Sequence, residues 1–419
     1  MRKFLLFLTI FVVFASYRIY VVLNRPLPDN IKQPNVVRIL DELGRIANYY
    51  LKLCLMLNIN PASQPIKSIV NNGFGFVMNG VYSQNPDVQV TDTIIANVPV
   101  KIIKPTKLTR SLPAIIYIHG GGWTWFTTDT YSSYLENLSN KTKMIVIAID
   151  YRKAPEYPFP AGYSDCIDVT WQVLAGKSGV NVDTNKVVIA GDGSGGGIAA
   201  AVARHFPTKI MIQILINPVL QMLDFQTPSY QDNVDIIPGI TSPEREALHW
   251  LLYVGQPIAF ASKITENKHL FPATVQSHFN LIDSAKHLPT YLKITNRTTI
   301  IPREHDFVVA MRLQTYITNE TLSPMMHKNM QDIPKAYVIT SQYDVLRDEA
   351  VMYTNRIHGD GNKVKLKHYK NAFHGFFLFS HESGIFHLDE AKAAFQEMVD
   401  FLRYQVYGLS KPLREAYTV

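Results

Sequence analysis

Residues 187–197 read Val-Val-Ile-Ala-Gly-Asp-Gly-Ser-Gly-Gly-Gly, and a run of small residues, 199–201, follows after Ile198. The apolar run, the glycine-rich turn and the small residues predict a buried strand, a sharp turn and a tightly packed helix. The central residue of such a turn is exposed at the edge of the sheet, where a nucleophile can be placed. Read from Gly191, that residue is Gly193, and Ser194 comes one position late.

Short apolar runs alternate with helical patterns on both sides of this turn. The predicted strands are 114–118, 144–149, 187–190, 210–216, 336–340 and 364–369, preceded by an alternating antiparallel pair at 88–94 and 98–103. Apolar runs without polar alternation are typical of parallel strands that are buried on both faces. The alternation predicts an α/β fold, with a mostly parallel sheet and helices on both faces.

One connection is longer than a compact sheet requires. About 120 residues separate the strand that ends near Asn217 from the strand that begins at Ala336. We interpret 221–334 as an inserted lid over the carboxyl edge of the sheet, with a helical contribution from 25–85. The aromatic stretch 249–253 fits a lid over an apolar substrate, and it fits the insertion's own core equally well.

The chain opens with an apolar run after two basic residues. Residues 4–23 are long enough for one membrane-spanning helix, which needs about 20 residues, and Arg18 lies near its far end. The alternative is a cleaved signal peptide, after which the protein would be secreted. The predicted domains are a signal-anchor helix, 1–24, and a lumenal α/β domain, 25–419.

Glycosylation is the modification expected in a lumenal domain. Four Asn-x-Ser/Thr sequences are present, at Asn137, Asn140, Asn296 and Asn319.

Composition limits the other classes of function. Hydrophobic residues make up 47% of the chain and charged residues 18%, as in a globular protein. The net charge is +7, but the basic residues are scattered and match no nucleic-acid-binding motif, so no nucleic-acid partner is predicted. The two cysteines, Cys54 and Cys166, have no metal-ligand spacing and could form one bridge at most.

A second glycine-rich motif follows the predicted strand 114–118. It reads His-Gly-Gly-Gly-Trp from position 119 to 123. Backbone N–H groups without neighbouring side chains can point at a developing oxyanion. We therefore predict an oxyanion hole from the amides of Gly120 and Gly121, together with the amide of Ser194 on the adjacent turn.

An acid and a histidine follow the last two predicted strands. Asp344 comes after 336–340, and His374 comes after 364–369. The order of turn, acid and histidine is that of a Ser-His-Asp triad, in which Asp344 orients His374 and His374 acts as the general base. Ser194 is the fallback nucleophile, and it requires a shift of one residue that the small-residue helix does not favour.

Together these motifs resemble the arylacetamide deacetylase and neutral cholesterol ester hydrolase group, within the hormone-sensitive-lipase branch of the α/β-hydrolases. The resemblance covers nearly the whole chain and includes 26–30, 221–233 and 343–348. It implies hydrolysis of apolar carboxylic esters or amides, including lipid esters, without a metal or cofactor. It also implies a single-pass anchor in the endoplasmic reticulum membrane and a lumenal catalytic domain.

The chain departs from this group at its reactive residue. The elbow of the group reads Gly-Asp-Ser-Ala-Gly-Gly, so Gly193 takes the place of the serine and Ser194 that of the alanine. Thr124 and Ser341 replace a cysteine pair of arylacetamide deacetylase, so that bridge cannot form. Three hypotheses follow: a serine carboxylesterase or lipase that uses Ser194, a pseudoenzyme that binds lipid or acyl ligands, and a structural partner of an active relative.

Overall fold

The computed structural model describes residues 2–57, 59, 64–80, 83–108, 110–293, 304–381 and 386–409 of the 419-residue chain. Within these ranges one sheet has eight strands, in the order β1-β2-β4-β3-β5-β6-β7-β8. The strands are β1 (Val88–Ile95), β2 (Val98–Pro105), β3 (Leu112–Ile118), β4 (Ile145–Ile149), β5 (Val182–Asp192), β6 (Ile212–Ile216), β7 (Lys335–Tyr343) and β8 (Val364–Phe373). Only the pairs β1/β2 and β2/β4 are antiparallel.

Burial explains why the central strands are apolar at nearly every position, with Gln213 of β6 as an exception. Every residue of β3, β4 and β6 is buried. Ile116 belongs to an apolar cluster on one face of the sheet, and its neighbours Ile115 and Tyr117 belong to a cluster on the other face. Each predicted strand overlaps an observed one, and the mostly parallel sheet with helices on both faces is confirmed.

Fourteen α-helices lie within the described residues. They are α1 (Arg2–Leu23), α2 (Pro34–Met56), α3 (Gln64–Asn79), α4 (Ser132–Thr142), α5 (Ala161–Leu174), α6 (Gly193–His205), α7 (Pro228–Asp232), α8 (Pro243–Tyr253), α9 (Ala261–Thr265), α10 (Pro272–His278), α11 (Ser284–His287), α12 (Phe307–Ile317), α13 (Arg347–Gly359) and α14 (Asp389–Tyr407). The long connection between β6 and β7 thus carries α7 to α12.

The segment predicted to be a signal anchor forms α1. Arg18 of this helix forms an ion pair with Glu42 of α2. Among the residues that the structure describes, no helix is both long enough and apolar enough to cross a membrane. The signal anchor therefore stays a prediction from the sequence.

Close packing of α6 against β3 depends on Gly195. A Cβ at this position would lie 2.2 Å from the carbonyl oxygen of Ile118 and 2.4 Å from that of His119. We expect Gly195→Ala to lower the free energy of unfolding by about 1–3 kcal/mol, because backbone atoms must move to admit the methyl group. Urea denaturation measures the change. Gly359→Ala is the control, since a Cβ there would meet nothing within 4 Å; equal losses in the two variants would contradict the prediction.

Candidate active site

The turn between β5 and α6 places Gly193 at its centre. Gly193 is the first residue of α6 and has a φ of +50°, a left-handed conformation that glycine adopts without the steric cost of a Cβ. Asp192 precedes it in an extended conformation, with a φ of −120°. The small residues 199–201 are buried in α6.

Asp344 and His374 meet at the carboxyl edge of the sheet. Asp344 directly follows β7 and His374 directly follows β8, and these two strands are parallel neighbours. His374 Nδ1 donates to Asp344 Oδ2 at 3.0 Å, and Asn217 Nδ2 donates to the same oxygen at 2.8 Å. The amide of Leu346 donates to Asp344 Oδ1 at 2.9 Å. The carboxylate is thereby fixed at both oxygens and orients the imidazole.

The other edge of the imidazole faces Gly193. A Cβ built on Gly193 would lie 3.6 Å from His374 Nε2 and 3.8 Å from Cε1. A hydroxyl on that carbon could reach hydrogen-bonding distance of Nε2, as a triad serine does. Gly193, at the centre of the turn, is therefore adjacent to His374 Nε2.

The side chain of Ser194 is directed to a different partner. It is buried, with 2% of its surface exposed, and its Oγ accepts a hydrogen bond from the backbone N–H of Trp123 at 3.2 Å. Trp123 ends the second glycine-rich motif, so the hydroxyl ties the elbow to that loop. The fallback nucleophile is thus engaged in a structural hydrogen bond.

One of the three amides predicted for the oxyanion hole is already hydrogen-bonded within the protein. The Gly120 N–H donates to Asp192 Oδ1 at 3.1 Å and to the Tyr131 hydroxyl at 3.2 Å, so it is not available to an oxyanion. Gly121 and Gly122 have φ values of +105° and +60°, and both line the cavity. The prediction that the Gly120 amide belongs to the oxyanion hole is therefore wrong, while Gly121 and Ser194 line the cavity, as does Gly122.

Asp192 supports the glycine loop by accepting the hydrogen bond from the Gly120 N–H. Its Oδ1 accepts from the Tyr117 hydroxyl and its Oδ2 from the Tyr131 hydroxyl, each at 2.8 Å. Burial raises the pKa of Asp192, although three donors partly compensate for the lost water. This bracing role was not apparent in the sequence, because the chain gives no sign that Tyr117 and Tyr131 converge on one carboxylate.

The protonation of His374 depends on Asp344. Burial disfavours the imidazolium, but the charge of the Asp344 carboxylate and its hydrogen bond outweigh that effect and raise the pKa of His374 above its usual value of 6.5. A general base must be neutral to accept a proton. Any reaction that uses His374 as a base should therefore lose rate as the pH falls through this raised pKa.

Helix α8 forms one wall of the site and supplies polar groups that the sequence analysis missed. Arg245, Glu246 and His249 line the cavity. The Glu246 carboxylate accepts from the Thr241 hydroxyl at 3.1 Å, and burial raises its pKa. Burial lowers the pKa of His249 to about 3, so this second imidazole is neutral at physiological pH. In the sequence, the one feature that pointed to these residues was their polarity within a segment that also carries large apolar and aromatic side chains.

The cavity, together with the open space at its mouth, has a volume of about 880 Å³. Its lining includes residues of the elbow, the glycine loop and His374, and much of the remaining wall is apolar, as is typical of a small-molecule site. Walls come from both regions that were predicted to form a lid: α2 and α3 supply Leu40, Phe74 and Met78, and the region of α8 supplies Ile240 and His249.

The remaining sequence predictions concern the two cysteines and the four glycosylation sequences. Cys54 and Cys166 are both free and buried, so no bridge joins them. Asn137 and Asn140 lie in α4 and are partly buried. Asn319 accepts hydrogen bonds from the amides of Thr321 and Leu322. Asn296 lies outside the described residues.

Comparison with protein families and known proteins gives a consistent result. A model described as the alpha/beta hydrolase fold matches residues 115–276 and 282–378. Arylacetamide deacetylase of Oryctolagus cuniculus is 30% identical over an alignment of 401 positions, which covers 88% of this chain and 92% of that protein. Neutral cholesterol ester hydrolase 1 of Bos taurus is 28% identical over an alignment of 404 positions, which covers 91% of this chain and 94% of that protein.

Solved structures show the same fold at lower sequence identity. An α/β-hydrolase enzyme from the metagenome of Lake Arreo superposes with a TM-score of 0.64 and 21% identity, over 91% of this chain and 99% of that one. A thermostable esterase from Pseudomonas putida gives a TM-score of 0.61 and 19% identity, over 86% of this chain and 96% of that one. These likenesses support the fold alone.

Proposed function

The chain belongs to the arylacetamide deacetylase-like group of the α/β-hydrolases, and from that premise we propose that it binds apolar carboxylic esters, including lipid esters, beside Gly193 and His374 and hydrolyses them slowly at best. One observation carries this proposal. The Cβ position of Gly193 lies 3.6 Å from His374 Nε2, where the triad needs a hydroxyl, and glycine has none. In a comparable triad, loss of the serine costs on the order of 10⁶ in turnover.

Binding does not require the missing hydroxyl. In the proposed complex the ester carbonyl oxygen lies at the amides of Gly121, Gly122 and Ser194, and the acyl group lies against the apolar wall of the cavity. Residual hydrolysis would use a water molecule that attacks the carbonyl carbon while His374 Nε2 takes its proton. The amides would stabilise the resulting oxyanion.

The carboxylesterase or lipase hypothesis is the second candidate. The intact hydrogen bond between Asp344 and His374 favours it, because that pair would be ready to activate a serine. This candidate requires the Ser194 Oγ to leave the Trp123 N–H and turn toward His374.

Covalent labelling separates the two candidates. We expect a fluorophosphonate probe to leave the wild-type protein unlabelled, because no activated serine faces the cavity. A Ser194→Ala variant should then match the wild type in its slow hydrolysis of p-nitrophenyl butyrate. Labelling of the wild type that Ser194→Ala and His374→Ala both abolish would contradict the proposal and identify Ser194 as the nucleophile.

Two further statements belong to this proposal. We propose that α2, α3 and α8 act as a lid, since residues of all three line the cavity. The location in the endoplasmic reticulum membrane with a lumenal domain, and secretion as its alternative, stay predictions from the resemblance.

A further inference from the structure

The hydroxyl that is missing at Gly193 leaves a gap beside His374. Among the described residues, apart from the chain neighbours of Gly193 and its own helix, the only atoms within 4 Å of its Cβ position are Nε2 and Cε1 of His374. Both residues line the active-site cavity, so the gap belongs to that cavity. A ligand atom can therefore take the position that the serine oxygen has in a Ser-His-Asp triad. We call this position the Gly193 gap.

Two kinds of hydrogen-bond donor line the cavity around the Gly193 gap. His374 Nδ1 is held by Asp344 at 3.0 Å, so an imidazolium at this position has its Nε2 proton left for a ligand. The glycine loop contributes Gly121 and Gly122, and α6 begins at Gly193, so the amides of its first turn have no acceptor within the helix. Both kinds of donor are suited to an anion.

We propose that the active-site cavity binds the free carboxylate of an apolar acid in preference to a neutral ester, with one oxygen in the Gly193 gap at His374 Nε2 and the other at the amides of Gly121 and Gly122. The inference goes beyond the proposed function, because it names the acid and not the ester as the favoured ligand of the same site. An ester places an alkylated, uncharged oxygen where the acid places a charged one. A triad serine would fill the gap, so the preference is a consequence of the glycine.

The surroundings of His374 favour the charged imidazole that this complex needs. Burial disfavours the imidazolium, but the charge and hydrogen bond of Asp344, followed by the charge of Glu246 on α8, raise the pKa of His374 above 6.5 even though Arg245 opposes them. A hydrogen bond between an imidazolium and a carboxylate is roughly twice as strong as one between neutral groups. The same imidazolium gives an ester oxygen a weaker partner.

The other acidic and basic side chains of the cavity permit an anion. In the described part of the chain they are Asp192, Arg245, Glu246 and His249. Asp192 already accepts from two tyrosine hydroxyls and the Gly120 amide. Glu246 accepts from a threonine hydroxyl, and burial raises its pKa, which favours its neutral form. Arg245 adds a positive charge to the wall, and burial lowers the pKa of His249 to about 3, so that imidazole is neutral.

Octanoate and 2-nonanone are matched probes for this preference. They share a hydrocarbon chain and a carbonyl oxygen, but 2-nonanone has a methyl group where octanoate has its charged oxygen. Isothermal titration calorimetry with the full chain measures both affinities from about pH 6 to about pH 9, where octanoate stays ionised. His374→Gln removes the cation, and His358→Gln, at the exposed end of α13, is the control substitution.

We expect the wild type to bind octanoate at least about tenfold more tightly than 2-nonanone at about pH 6. This advantage should be lost as the pH rises through the raised pKa of His374, because the neutral imidazole keeps its proton at Nδ1 for Asp344 and presents a lone pair to the anion. His374→Gln should lose the advantage and its pH dependence, while His358→Gln should keep both. Binding of 2-nonanone reports in each variant whether the cavity is still formed.

The outcomes separate this inference from the proposed function. Binding of 2-nonanone without an advantage for octanoate, or an advantage that His374→Gln leaves unchanged, would overturn the inference and leave the proposed function standing. Binding of octanoate with the expected pH dependence, but no binding of 2-nonanone, would support the inference and contradict the proposed function, since the site would then reject a neutral carbonyl ligand. If neither ligand binds to the wild type, both fail.

Discussion

Gly193→Ser is expected to raise the hydrolysis of p-nitrophenyl butyrate by at least about 10³-fold, since a triad serine accounts for on the order of 10⁶ in turnover. The other parts of the site are in place. His374 is oriented by Asp344 at 3.0 Å, and its Nε2 lies 3.6 Å from the carbon that would carry the new hydroxyl. Steady-state rates with the purified protein measure the gain.

Gly193→Ala is the matched control for this substitution. Both variants add a Cβ to a residue whose φ is +50°, so both should lower the free energy of unfolding by about 1–2 kcal/mol. Only the serine should add activity and fluorophosphonate labelling. Similar rates in Gly193→Ser, Gly193→Ala and the wild type would show that the site is not assembled for ester hydrolysis, and the proposed role of His374 would then be wrong.

The sheet could be predicted from the sequence because burial dictates its composition. Fully buried strands such as β3 and β4 must be almost entirely apolar, and that signal is local. The elbow could be located for a similar reason, because close approach of α6 to β3 excludes side chains and leaves glycines in a row. Asp344 and His374 followed from their positions at the ends of strands.

The oxyanion loop was only partly predictable, because the choice among three consecutive glycines depends on a distant contact. Gly120 is excluded by Asp192, which accepts its N–H, and Asp192 is placed there by the hydroxyls of Tyr117 and Tyr131. No local pattern in the sequence encodes that convergence. The same holds for Glu246 and His249, which reach the site from a helix in the long connection between β6 and β7.

The pairing of charged side chains near the glycine loop is likewise not predictable from local sequence. Asp150, Arg152 and Glu156 are close together in the sequence, and that spacing alone suggests one ion-pair network. In the structure each has another partner: Arg152 pairs with Asp165, Asp150 with Lys153, and Glu156 with Lys67. Long charged side chains can choose among several neighbours, so proximity in sequence does not fix their pairing.

In the Gly193→Ser background, a second change, Asp344→Asn, is expected to reduce kcat by about 10⁴-fold, because an amide cannot hold the imidazole in the required tautomer or stabilise its charged form. Asp344 accepts from His374 Nδ1, Asn217 Nδ2 and the amide of Leu346, so an asparagine would also meet donors that it cannot satisfy in the same way. Stopped assays over long incubation measure the residual rate. The KM for p-nitrophenyl butyrate should be retained, because binding needs the glycine-loop amides and not the charge of Asp344.

The pH profile distinguishes this electrostatic role from mere loss of structure. Asp344 raises the pKa of His374 above 6.5, so the activity of Gly193→Ser should fall on the acid side at a pH above 6.5. Without the carboxylate that contribution disappears and burial lowers the pKa of His374, so the acid limb of the residual activity should move to lower pH. A variant that loses rate with an unmoved acid limb would mean that Asp344 positions a loop and does not control the charge of His374.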